Sequence, residues 1–116
     1  MRRTLVTTGL FFVFALVSSA GIATAQDAAL VKKGQEVYTA QKCSVCHAIA
    51  GKGGKANPLD GVGAKISAAE TRQWITNPKE MTTKANSQKK PPMPDRYSKL
   101  PAADIDALVA YMQSLK

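Results

Sequence analysis

Cys43-Ser44-Val45-Cys46-His47 sets two thiols three positions apart, with an imidazole directly after the second. On a helical turn the two sulfurs face the same way and can add to the two vinyl groups of one porphyrin. The imidazole then lies under the iron. C-x-x-C-H is the spacing of c-type haem attachment, and a histidine is the usual proximal ligand. Other uses of C-x-x-C fail on counting. A structural zinc site needs four N or S ligands, and the chain has two Cys and one His. A thioredoxin-like dithiol needs a βαβ setting, and no strand pattern surrounds these residues. A disulfide across so short a loop would be strained and would leave His47 without a role. The expected cofactor is one haem c, bound covalently through Cys43 and Cys46, with His47 on its iron.

Iron in a haem has a second axial position. With His47 the only histidine, two histidine ligands cannot come from one chain. Methionine, water or an open site remain. Met93 lies in Pro91-Pro92-Met93-Pro94, where prolines fix φ and remove backbone donors. A thioether is a weak ligand, and a stiff loop reduces the entropy lost when it binds. Met93 is therefore preferred. Met81, three residues after Pro78, is the alternative; an open site is the other. Met112 falls on the packing face of the last helix.

The elements that must position these groups start after a leader. Arg2 and Arg3 precede an apolar run, densest over Leu10–Val17, and the small residues Ala23-Thr24-Ala25 stand before Gln26. That is the pattern of a cleaved secretory signal peptide. The apolar run is shorter than the ~20 residues of a spanning helix. Residues 1–25 are expected to be removed, leaving one domain, 26–116, outside the cytoplasm and with no stable membrane insertion. A bacterial periplasm is the simplest such compartment. So small a chain builds only a marginal core alone, so the haem itself should belong to the core.

Gln26–Lys42 has the spacing of a first helix, capped by Asp27, with Leu30, Gly34, Val37 and Tyr38 on one face. Gly34 costs about 1 kcal/mol in a helix interior, which calls for a backbone passing close by. Ala48–Gly63, rich in glycine, is expected to be loop, and no segment makes a convincing strand. Ser67-x-x-Glu70 fits a capping box for a helix ending at Asn77-Pro78. Trp74, the only tryptophan, is expected in the core near a haem propionate. Lys79–Pro94 should run extended. Pro101 opens the last helix, with Ile105, Leu108, Val109, Met112 and Leu115 on its apolar face.

Taken together, Cys43–His47 near the end of a first helix, the late Pro91-Pro92-Met93-Pro94 and the ending Leu108-Val109-Ala110-Tyr111 resemble class I monohaem cytochromes c of the small bacterial periplasmic type. The resemblance covers nearly all of 26–116. It implies an all-α fold, three to four helices wrapped around one covalently bound haem c, with N- and C-terminal helices crossing. Gly34 and Tyr38 would meet Leu108 and Tyr111 at that crossing. It implies that Pro58, in Asn57-Pro58-Leu59, accepts the Nδ1–H of His47 through its carbonyl, with Pro58 and Leu59 against the cofactor. The longer span from Pro78 to Met93 departs from the mitochondrial pattern and suits bacterial members.

The function implied is one-electron transfer with both axial ligands retained, hence no enzyme activity. The chain carries 16 Lys and Arg against 8 Asp and Glu. Lys42, Lys52, Lys55, Lys65, Lys84, Lys89 and Lys90 could ring the haem edge and steer a redox partner with an acidic docking surface. A monomer is expected. Export and the absence of interleaved aromatics argue against nucleic acid. Two rivals remain: an open-site haem acting as peroxidase or gas sensor, and a haem subunit fixed within a membrane oxidoreductase.

Overall fold

The computed structural model describes residues 20–116. Most of the expected leader, 1–19, lies outside the described residues, as do the side chains through Gln26. No helix among the described residues is long and apolar enough to cross a membrane.

Five helices and three short strands follow in the order α1 (Ala20–Ala40), β1 (His47–Ile49), β2 (Lys52–Gly53), β3 (Asn57–Pro58), α2 (Val62–Lys65), α3 (Ala68–Thr76), α4 (Pro78–Lys84) and α5 (Ala102–Ser114). Two 3-10 turns, Cys43–Val45 and Asp95–Lys99, complete the chain. The expected helical architecture is present, and α1 crosses α5.

Gly34 makes that crossing close. A Cβ there would stand 2.1 Å from the Ala107 carbonyl oxygen and 2.6 Å from Tyr111 Cβ. One turn on, Tyr38 meets Tyr111 edge to face, with ring centroids 5.6 Å apart and planes at 83°, a geometry aromatic pairs favour. Lys33 pairs with Asp104 at 3.1 Å on the rim. The glycine's propensity cost thus permits a backbone-to-backbone approach that no other residue allows. We expect Gly34→Ala to lower stability by more than the ~1–3 kcal/mol of ordinary overpacking, because the atom it strikes is backbone and cannot rotate away. Denaturant unfolding of the haem-loaded protein measures this; a loss under about 1 kcal/mol would contradict the contact.

Val37, Tyr38, Ile75, Tyr97, Ile105, Leu108, Val109 and Met112 form the buried core, with α3 packed on α5. Ser67 caps α3 as expected, its Oγ accepting from the Glu70 N–H at 3.1 Å. Gln113 ties the two helices, donating to the Thr71 hydroxyl at 3.0 Å and to the Ile66 carbonyl at 3.2 Å.

Four expectations need correction. In the full chain α1 already includes Ala20, so Asp27 lies inside the helix there and not at its cap; alanine-rich sequence propagates a helix through that point. Ala48–Gly63 is not all loop. β1 pairs antiparallel with β2 and parallel with β3, helped by positive φ at Gly51 and Gly53. Strands of two or three residues have no period to read. Asn77-Pro78 starts a helix as well as ending one, because proline is well placed at the first helical position; α4 therefore occupies the first half of the segment expected to be extended. Pro101 stands at the N-cap of α5, one position before the helix.

Candidate functional site

α1 stops at Ala40, and two residues on Lys42 adopts a left-handed conformation, φ 56°. The 3-10 turn that follows sets Cys43 and Cys46 close in space, the Cys46 N–H donating to the Cys43 carbonyl at 3.2 Å. The two sulfurs are not joined in a disulfide; Cys43 is half-buried and Cys46 exposed. Burial pushes the Cys43 thiol above its ordinary range.

β1 then presents His47, whose ring is fixed from behind. Its Nδ1 lies 3.0 Å from the carbonyl oxygen of Asn57. A carbonyl can only accept, so Nδ1 carries the proton and donates. That leaves the Nε2 lone pair free for a metal. The partner is Asn57, and the expected Pro58 carbonyl is corrected accordingly. The reason is register: β1 and β3 run parallel with His47 opposite Asn57 and Ala48 opposite Pro58. Tyr38 contributes a second tie, its hydroxyl donating to the His47 carbonyl at 3.2 Å.

A cavity of about 460 Å³ opens in front of these groups. Cys43, Cys46 and His47 line it, and so do Pro58, Leu59, Trp74 and Met93. Every site residue expected from the sequence therefore borders one space, apart from Met81. Met81 is buried, 6% exposed, and is not on the cavity wall; Met112 is both in the core and on the wall. Trp74 is half-buried on the wall and not part of the closed core. Of the lysines, Lys42 and Lys89 reach the cavity.

Several wall residues escaped sequence reasoning. Tyr97 is buried, and Arg96 lies over its ring, 4.8 Å from the centroid, while donating to its hydroxyl at 2.7 Å. Both border the cavity. Nothing local marks an Arg-Tyr pair as a wall; only the turn at Asp95–Lys99 brings it there. Asn57 had a visible signal, since it precedes the proline that the resemblance singled out.

Burial, with Cys43 and Tyr111 nearby, pushes the Tyr38 phenol from 10.0 up to about 12. An unfolded phenol ionises near 10, so between pH 10 and about 12 the unfolded chain loses a proton that the folded chain keeps. Stability from this group is complete below pH 10 and is lost as pH rises toward 12. Tyr38→Phe should flatten that part of the stability–pH profile. Identical profiles above pH 10 would count against the burial argument.

The space suits a macrocycle. Its volume falls in the ~300–1,000 Å³ range of cofactor sites. Two cysteine sulfurs and an oriented imidazole face it, and among the described residues no buried side-chain polar atom lacks a partner. Among the same residues no three His, Cys, Asp or Glu side chains gather as a metal cage. No curated protein and no solved structure matches the chain. A sequence model of cytochrome c matches residues 31–116, from α1 through α5 and across the whole cavity wall. With helical architecture, crossing helices and a cavity of cofactor size at a C-x-x-C-H turn, the chain belongs to the cytochrome c family, whose members carry covalently attached haem c.

Proposed function

We propose that the chain is an exported, periplasmic one-electron carrier, with Cys43 and Cys46 bonded to haem c and its iron held by His47 and Met93. One observation supports this most: both cysteines, His47 and Met93 border a single cavity while Met81 lies elsewhere in the core. Bound there, haem supplies a one-electron iron couple whose potential Met/His ligation raises.

The chain's own residues prepare that site. Asn57 holds His47 as the Nδ1–H tautomer at 3.0 Å; such a second bond fixes the ring and strengthens it as a donor. Pro91, Pro92 and Pro94 restrict the backbone around Met93. Leu59, Leu108 and Met112 give the wall its apolar character, and low dielectric disfavours added positive charge on a bound metal. With His47 and Met93 both on a bound iron, no position would remain for a substrate, and the chain would act as a carrier and not as an enzyme. Its partners are redox proteins with acidic docking surfaces, steered by the excess of basic side chains; the carrier is a monomer and binds no nucleic acid. Residues 1–25 act as the cleaved leader and 26–116 as the working domain.

Absorption spectra of the exported protein test this reading. The expected ferric form is low-spin with the near-infrared methionine–iron band. A high-spin ferric spectrum would favour an open site with peroxidase or gas-binding activity. Retention in the membrane through a high-salt wash would favour a fixed oxidoreductase subunit.

A further inference from the structure

Lys89 is exposed, yet its ammonium donates to the backbone carbonyl of Ala56 at 2.8 Å, across 33 positions of sequence. For residues 88–94 this is the only hydrogen bond to another element among the described residues. The prolines have no N–H to offer, so the rest of the segment is held by packing of Met93 against the core. The acceptor's position is informative. Ala56 immediately precedes Asn57, whose carbonyl accepts from His47. One dipeptide thus takes the bond that orients the imidazole and the bond that tethers the methionine segment.

We propose that Lys89 is a positioning residue: it latches the Met93 segment to Ala56-Asn57, coupling closure of that segment to the strand that orients His47. This rests on the reading of Met93 as sixth ligand. A latched methionine leaves the iron position only when the segment opens, and a competing ligand enters only then. The competitor's apparent affinity therefore scales with the open fraction. Removing one such hydrogen bond shifts that fraction by about two- to tenfold.

The test is an imidazole titration of the ferric, haem-loaded full chain, followed at the near-infrared methionine–iron band. Lys89→Ala should lower the apparent Kd for imidazole about two- to tenfold. Lys89→Arg keeps a cationic donor and should stay near the parent value. Lys90→Ala removes the same charge from a side chain with no hydrogen bond or ion pair among the described residues, and should leave Kd unchanged. The latch is overturned if Lys89→Ala titrates like the parent, or if Lys90→Ala shifts it equally, which would make the effect one of lost charge. A parent without the band, or a Met93→Ala variant that keeps it, overturns the ligand reading and the latch with it. A parent whose band vanishes in Met93→Ala but resists the Lys89 change overturns the latch alone.

Discussion

Replacing Cys43 and Cys46 together with alanine should yield a polypeptide whose denatured mass is that of its amino acids alone and whose cofactor-free form no longer unfolds cooperatively. The first part follows from covalency: bonds from side chains to an iron would be lost on denaturation, whereas thioethers survive it. The second follows from volume. At about 24 cal/mol per Å³, leaving the cavity of about 460 Å³ empty costs roughly 11 kcal/mol, an upper figure because one side opens to solvent. Whole domains are stable by only about 5–15 kcal/mol. The helices around the cavity, chiefly α1, α3 and α5, then lack the partner their apolar wall requires. Calorimetry on the alanine pair should show a broad, weak transition; a sharp one near the parent temperature would mean that the core is complete without cofactor.

Met93→Ala should abolish the near-infrared methionine band and lower the reduction potential by a sizeable part of the ~0.8 V range that axial ligands span. Met81→Ala should leave band and potential in place, because Met81 is buried away from the cavity wall. Its cost should appear in stability instead, about 2–5 kcal/mol for truncating a core methionine. The two variants separate cleanly, since one changes the spectrum and the other the unfolding midpoint. Loss of the band in Met81→Ala with retention in Met93→Ala would reverse the assignment. Met112 borders the cavity as well, but it is buried within α5, so its truncation should act on folding before ligation.

What could be read along the chain was whatever is decided within a few residues or by a steric demand. Ser67 caps α3 because its hydroxyl reaches an N–H three positions on. Gly34 signals a crossing because a glycine inside a helix is unfavourable unless something presses against it, and Ala107 does. The attachment turn is legible for the same reason: spacing alone brings its two thiols to one side. The orientation of His47 was not legible to the residue. It depends on the register between β1 and β3, and a one-position difference passes the accepting carbonyl from Pro58 to Asn57. Segments of two or three residues carry no hydrophobic alternation from which to infer that register. α4 was hidden differently: a proline usually marks a helix end, and Pro78 serves equally as the first residue of the next helix. Arg96 and Tyr97 meet the cavity only through the tertiary placement of their turn.

The central claim is a covalent one, so the most direct measurement is the intact mass of the purified protein under denaturing conditions. The account predicts the mass of residues 26–116 plus one haem, located on a peptide containing Cys43 and Cys46. A mass equal to the polypeptide alone, with both thiols free to react, would contradict it.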